Sequence, residues 1–124
     1  MKLLLDTHAA LWFLSGDDRL SDNARRHVTD DTNRVLLSAA VVWEISIKRA
    51  LGKLAVPDDY LSLLLEAGVQ PLSVTVAHAA AVERLPPHHR DPFDRMLVSQ
   101  ATVEAGALVS SDDALRPYDV TLIW

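Results

Sequence analysis

The stretch KLLLDTHAALW, residues 2–12, indicates the class of fold, because a short apolar run is followed at once by an aspartate and a segment with helical spacing. Short apolar runs of this kind are typical of strands buried in a sheet, and the residues after Asp6 are predicted to form a helix. The stretch therefore predicts a strand followed by a helix, with Asp6 at the carboxyl end of the strand.

The same alternation continues along the chain. Strands are predicted at residues 2–5, 34–37, 70–74, 107–110 and 120–123. Helices are predicted at residues 7–14, 21–29, 40–51, 58–67, 75–84 and 92–105. Gly16, Gly52, Gly68 and Gly106 fall where helical patterns stop, as C-cap glycines do. Strands alternating with helices indicate the α/β class with a mostly parallel sheet.

Length and composition exclude several classes of protein and of functional site. The chain has 124 residues, 49% of them hydrophobic, which fits one domain spanning 1–124 and excludes a disordered chain. It contains no cysteine, which excludes disulfides, thiolate zinc sites and a cysteine nucleophile. The net charge of −5 argues against binding nucleic acid through bulk positive charge, but not against an enzyme that meets phosphate through bound cations.

The first residues resemble a signal peptide only briefly, because Asp6 and His8 interrupt the apolar run. No segment approaches the roughly 18 uninterrupted apolar residues that a membrane-spanning helix requires. We therefore expect a cytoplasmic protein without a membrane partner.

Acidic residues recur at positions that the predicted fold brings together. Asp6 and Asp112 each follow a predicted strand, and the carboxyl ends of parallel strands lie at one edge of the sheet, where ligands bind. Glu44 lies in the predicted helix 40–51, and Asp91 and Asp94 open the helix 92–105. Four elements are thus expected to direct carboxylates toward one place.

Each acid also has a local explanation. Asp91 and Asp94 fit the N-cap and N3 positions of a helix, Asp6 and Asp112 fit N-caps, and Glu44 can pair with Lys48. Two carboxylates about 4 Å apart repel by about 4 kcal/mol at an effective dielectric constant of 20, so a cluster needs a cation. Oxygen ligands favour Mg²⁺ or Mn²⁺ over zinc, and such ions can activate water for attack on a phosphate.

Four segments together resemble the PIN-domain ribonucleases of the VapC toxin family, in the order that the family shows. They are LLLDTHAALW (3–12), WEISIKRALGKL (43–54), HHRDPFDRMLVSQA (88–101) and LVSSDDAL (108–115). The resemblance implies a three-layer α/β sandwich, with a central parallel sheet of four or five strands and helices on both faces. It also implies an endoribonuclease dependent on Mg²⁺ or Mn²⁺, with Asp6, Glu44, Asp94 and Asp112 as the catalytic and metal-binding acids.

The resemblance adds auxiliary residues to these acids. Asp91 looks like the helix cap but stays an auxiliary candidate, and Thr7 and Ser110 resemble polar residues beside the family's acids, although capping explains them equally well. Arg90 and Arg95 flank the predicted site and are candidates for binding substrate phosphates. For Arg95, pairing with Asp91 one helical turn away is the alternative.

The histidines and aromatic residues have simpler expected roles. His88 and His89 are neighbours without a third partner at ligand spacing, so no zinc site is expected. Trp12, Trp43 and Phe93 can stack on RNA bases, but their apolar neighbours make the core the preferred location. In the helix 40–51 the stripe formed by Trp43, Ile47 and Leu51 is expected to be buried.

The predicted helix 58–67 carries more apolar surface than one face needs, which indicates a protein partner. Its leucines are Leu61, Leu63, Leu64 and Leu65. The resemblance suggests a homodimer and a VapB-type antitoxin whose C-terminal segment lies along these helices. It assigns RNA to this chain as substrate, and promoter DNA only to the antitoxin.

Two other functions remain open from sequence. One is a degenerate PIN domain that binds RNA or protein without catalysis. The other is a phosphohydrolase with Asp6 as nucleophile, although such enzymes use a second aspartate two residues later, where this chain has His8.

Overall fold

A computed structural model describes residues 1–124. The strands are β1 (Lys2–Leu5), β2 (Arg34–Ser38), β3 (Gln70–Leu72), β4 (Ala107–Val109) and β5 (Thr121–Ile123). The helices are α1 (Thr7–Ser15), α2 (Asp22–Thr29), α3 (Ala39–Ala50), α4 (Tyr60–Glu66), α5 (Val76–Ala81) and α6 (Pro92–Val103). Short 3₁₀ turns follow α5 at Val82–Arg84 and follow β4 at Asp113–Leu115.

The strands form one parallel sheet in the order β3-β2-β1-β4-β5. Leu3, Leu4 and Leu5 in its central strand are all fully buried. Because successive side chains of a strand point to opposite faces, both faces of the sheet must be covered. The structure therefore confirms the predicted α/β sandwich with a five-stranded parallel sheet.

The strand order creates a crevice at one edge of the sheet. The chain runs outward from β1 to β2 and β3, then returns to place β4 on the other side of β1. Ligands of open α/β sheets bind at such a switch point, beyond the carboxyl ends of the strands. Asp6 follows β1 and Ser110 follows β4, so both residues border this crevice.

Several element boundaries differ from the sequence prediction. The predicted helix 75–84 is divided into α5 and a 3₁₀ turn, and the predicted strand 70–74 ends at Leu72. None of the helices combines the length and the apolar character that a membrane crossing requires.

The prediction of a buried Trp43, Ile47 and Leu51 stripe on α3 is wrong. These side chains are 63%, 38% and 62% exposed, whereas Val41 and Ile45 are the large apolar residues of α3 that reach the core. The helix thus presents its larger apolar stripe to the surface.

Gly106 is not the C-cap glycine that the sequence predicted. The left-handed residue after α6 is Ala105, with φ of 54°, whereas Gly16, Gly52 and Gly68 do have positive φ. A Cβ atom at Gly106 would lie 3.0 Å from the carbonyl oxygen of Lys2. This glycine is therefore needed for the close approach of the chain to β1.

Neighbouring substitutions at this corner should have opposite effects. Gly106→Ala should lower the free energy of unfolding by about 1–3 kcal/mol, because the added methyl group must displace backbone. Ala105→Gly should raise it by up to about 1 kcal/mol by relieving the left-handed conformation. Urea unfolding measures both, and a Gly106→Ala protein as stable as the native chain would contradict this account of the corner.

Candidate active site

Asp6 is placed by the junction of β1 and α1. It is the N-cap of α1, and its Oδ1 accepts a hydrogen bond of 2.8 Å from the backbone N–H of Ala9. The residue is only 7% exposed, and burial raises the pKa of its carboxyl group, with Asp112 adding to the rise and the Ser110 hydroxyl opposing it. Asp6 thus caps α1 and also lies at the carboxyl end of β1.

Glu44 reaches the same region from α3. Its Oε1 accepts a hydrogen bond of 2.6 Å from the Thr7 hydroxyl, and its Oε2 lies 2.6 Å from the Lys48 ammonium. The Glu44 side chain is 12% exposed. The expected pairing with Lys48 is therefore present, and it holds the carboxylate in place beside the start of α1.

Asp91 and Asp94 have different roles at the start of α6. Asp91 is the N-cap, and its Oδ1 accepts hydrogen bonds from the backbone N–H groups of Phe93 and Asp94, at 2.8 and 3.3 Å. The Asp94 carboxylate is left free to face the other acids.

The carboxyl group of Asp94 lies near three other acids, Asp91, Asp6 and Glu44. Burial and the charges of Asp91, Asp6 and Glu44 raise the pKa of its carboxyl group to about 7, although His89 opposes the rise. Two elements distant in sequence, the junction of β1 and α1 and the helix α3, therefore act on this carboxyl group together with the start of α6.

Asp112 is the acid that the segment after β4 brings to the site. It is the N-cap of a 3₁₀ turn, its Oδ1 accepts from the Ala114 N–H at 3.0 Å, and its Oδ2 lies 2.9 Å from Nε2 of His89. Burial raises the pKa of Asp112, but these hydrogen bonds outweigh it and the pKa lies below its ordinary value. Ser110 supports this segment, since its hydroxyl accepts the Asp112 N–H at 3.1 Å.

His89 is the site residue that sequence reasoning missed. Its Nε2 lies 3.3 Å from Oδ2 of Asp94 and 2.9 Å from Oδ2 of Asp112, so these three residues offer ligand atoms within 4.8 Å of one another. The expectation that His89 lacks partners is therefore wrong, because its partners come from two other positions in the chain. The available signal was its place two residues before the helix cap.

Arg95 and Arg90 do not share one environment. The guanidinium of Arg95 donates to the carbonyl oxygens of Pro86, Leu85 and Val82 and to the Tyr118 hydroxyl, at 2.9 to 3.4 Å. This corrects both expectations for Arg95, since the group is committed to the loop before α6 rather than to Asp91 or to an open phosphate site. Arg90 is exposed.

The aromatic residues near the acids in sequence form two separate pairs. Trp43 contacts Phe93 edge-to-face, with ring centroids 5.2 Å apart, and His8 stacks on Trp12 at 5.4 Å. Trp43 is exposed, so the preference for a core location is wrong for this residue; Trp12 and Phe93 are half-buried.

The donor set fits a hard dication. The carboxylates supply only oxygen ligands, and the nearest ammonium group, that of Lys48, is paired with Glu44. Burial and the charge of Asp91 raise the pKa of Asp94, and His89 opposes the rise only in part. A divalent ion beside the carboxylates would favour their charged forms.

The family follows from comparison with known proteins. Residues 3–120 match the model of the PIN domain, which is nearly the whole chain. The chain belongs to the PIN-domain family.

A curated relative shares part of the sequence. The chain is 43% identical over 63 residues to a protein of Mycobacterium tuberculosis described as ribonuclease VapC16, and the match covers 48% of this chain and 45% of that protein. The chain thus matches less than half the length of this relative.

Solved structures resemble the chain over almost its full length. VapBC2 from Rickettsia felis, crystallised with a DNA fragment from its promoter, gives a TM-score of 0.71 at 14% identity, covering 98% of this chain and 97% of that chain. DNA-bound VapBC from Salmonella typhimurium gives 0.68 at 16% identity, covering 98% and 96%. At these identities the likeness shows the fold.

Proposed function

We propose that this chain is a VapC-type toxin, an endoribonuclease that hydrolyses RNA phosphodiesters with Mg²⁺ or Mn²⁺. The observation that carries the proposal is the convergence of Asp6, Glu44 and Asp94 from three elements. Burial raises the pKa of Asp94 to about 7, and the charges of Asp91, Asp6 and Glu44 add to this rise. Family membership and the partial match to a ribonuclease support the same activity. Like other toxins of this type, it would work in the cytoplasm.

Each acid has a distinct proposed role in the reaction. Asp6 and Asp94 would hold the dication. When bound, the ion would act as a Lewis acid and lower the pKa of water. Glu44, fixed by Thr7 and Lys48, would help hold the ion or orient the attacking water, and Asp112 would support the site.

The bond changes follow from water as the nucleophile. The water oxygen bonds to phosphorus, the bond from phosphorus to the ribose 3′-oxygen breaks, and a proton passes to that oxygen. The products are a 5′-phosphate and a 3′-hydroxyl. Arg90, exposed next to Asp91, remains the candidate for binding a flanking phosphate.

Thermal unfolding with added Mg²⁺ or Mn²⁺ tests the metal site. A ligand that binds only the native state stabilises it, by about 2.7 kcal/mol at 100 times its dissociation constant. We expect the melting temperature to rise with either ion in the native chain and to stay constant in Asp94→Asn. An equal rise in both proteins would place the ion elsewhere and contradict the proposed site.

Exposed apolar residues on α3 and α4 are the proposed surface for partners, namely a VapB-type antitoxin and a second copy of the chain. Leu61, Leu63 and Leu65 on α4 are 39%, 37% and 51% exposed, whereas Leu64 is fully buried. The Trp43, Ile47 and Leu51 stripe on α3 adds to this surface. Promoter DNA would be bound through the antitoxin, as part of a complex.

Light scattering after size exclusion tests the homodimer. The isolated chain should elute with a mass near twice 13.7 kDa. Leu65→Lys, which adds charge to the exposed part of α4, should reduce the dimer fraction if α4 lies in the contact. A native chain that is monomeric at micromolar concentration would remove the homodimer from the proposal.

A further inference from the structure

The backbone N–H and both ring nitrogens of His89 make hydrogen bonds. Its backbone N–H donates to the Tyr118 hydroxyl at 3.0 Å. Its ring Nδ1 accepts the backbone N–H of Asp91 at 3.0 Å. On the other side of the ring, Nε2 lies 2.9 Å from Asp112 and 3.3 Å from Asp94. The imidazole therefore fills the space between the start of α6 and the segment after β4.

The contact with Asp91 fixes which ring nitrogen carries the proton. A backbone N–H can only donate, so Nδ1 must offer its lone pair, and in the neutral ring the proton then belongs to Nε2. The Nε2–H group donates to Oδ2 of Asp112 at 2.9 Å, and Oδ2 of Asp94 lies 3.3 Å from the same nitrogen. A metal ligand at Nε2 would need a free lone pair there, which this arrangement does not provide.

We propose that His89 is a positioning residue of the dication site, which orients Asp112 by donating Nε2–H to its Oδ2, lies beside Asp94, and does not ligate the ion. Asp112 then has both oxygens engaged, Oδ1 by Ala114 and Oδ2 by His89. Groups that orient ligating carboxylates in this way strengthen metal binding without touching the ion. This role depends on the proposed function in one respect only, namely that a dication occupies the site.

The position of His89 is itself set by the loop that Arg95 holds. The Tyr118 hydroxyl accepts hydrogen bonds from the His89 backbone N–H and from the Arg95 guanidinium. Arg95 also donates to the carbonyl oxygen of Pro86. Tyr118 is only 4% exposed, so this anchor is part of the packed fold. These contacts fix the backbone of the loop, while the ring of His89 contacts Asp112 and Asp94.

His88 provides the matched control. It is the neighbouring histidine, it is exposed, and its ring packs edge-to-face on Tyr118 with centroids 5.1 Å apart. It makes no hydrogen bond to the acids. Replacing His88 by phenylalanine keeps this contact and changes a histidine of the same loop.

Nitrogen-15 NMR of the histidine rings tests the proposal without RNA. We expect a protonated Nε2 and an unprotonated Nδ1 for His89, because the Asp91 N–H occupies the Nδ1 lone pair. Saturating Mg²⁺ should leave this pattern unchanged. An unprotonated Nε2 in the free protein, or loss of its proton on adding Mg²⁺, would overturn the proposal.

Calorimetric titration with Mg²⁺ gives the second readout. His89→Phe should weaken Mg²⁺ binding by about 10- to 100-fold, the effect typical of losing such a partner. His89→Gln should recover most of the affinity, because its amide nitrogen can donate from the place of Nε2, and His88→Phe should bind like the native chain. Native affinity in His89→Phe, or equal losses in both His89 variants, would overturn the proposal.

These experiments separate the inference from the proposed function. Ring protonation and Mg²⁺ affinity are measured without substrate, so a chain that binds Mg²⁺ as expected but does not cleave RNA would contradict only the ribonuclease. If His89→Phe fails to fold, the NMR of the native chain and the His89→Gln titration still decide the question.

Discussion

Replacing Asp94 by asparagine should lower the rate of RNA cleavage at least about a hundredfold, the scale of loss when one charge-stabilising group is removed from an active site. Asp94 is the carboxylate on which Asp91, Asp6 and Glu44 all act. Asparagine keeps the size of the side chain but removes the negative charge that holds a dication. The start of α6 should survive, because Asp91 is its cap.

Asp113→Asn is the matched control. Asp113 is the next acid after Asp112, but its side chain is 81% exposed and pairs with Arg116. We expect this variant to cleave RNA at the native rate. Initial rates on a fluorescent RNA, with thermal melts to verify folding, measure both variants. A native rate in Asp94→Asn would contradict the assigned site and favour a PIN domain that binds RNA or protein without catalysis.

Leu108→Ala should lower the free energy of unfolding by about 2–5 kcal/mol, the cost of truncating a leucine in a packed core. Leu108 is fully buried in β4 and lies beside Leu4 of β1 and Leu122 of β5. These strands carry Asp6 and the segment of Asp112, so the substitution weakens the support of the site.

Leu65→Ala is the control for this loss, since it removes the same atoms from a side chain that is 51% exposed. For the monomer, at a protein concentration too low for the proposed dimer, we expect a change within about 0.5 kcal/mol, as for most surface substitutions. Urea unfolding measures both proteins. A large loss for Leu65→Ala would mean that α4 contributes to the core and would weaken its assignment to a partner surface.

The sheet was predictable because its strands are apolar on both faces. The run Leu3, Leu4 and Leu5 has no alternation of polar and apolar residues, which only a doubly covered strand tolerates. An aspartate directly after such a strand must lie at the sheet's carboxyl edge. The approximate placement of Asp6 and Asp112 therefore follows from local sequence.

The exposed stripe of α3 was not predictable from spacing alone. Trp43, Ile47 and Leu51 share a face, and so do Val41 and Ile45, but helical periodicity does not say which face meets the sheet. Packing decides, and the smaller residues lie against the core. A large apolar face left outside is the expected result where a helix also serves a partner.

The contacts of His89 and Arg95 were beyond sequence reasoning for a related reason. Both side chains bind groups remote in the chain, and Tyr118, the anchor they share, follows them by more than 20 residues. Spacing rules describe neighbours on one helix or strand, whereas the loop before α6 is shaped by hydrogen bonds to backbone carbonyls. Only the folded arrangement shows that Arg95 supports the loop and that His89 faces the acids.

Anomalous diffraction from native crystals grown with Mn²⁺ tests whether acids widely separated in the chain are held together around a hard dication. We expect an anomalous peak within coordination distance of the Asp6 and Asp94 carboxylates. A manganese peak only at exposed acids elsewhere, such as Asp30 and Asp31, with none between Asp6 and Asp94, would contradict the proposed site.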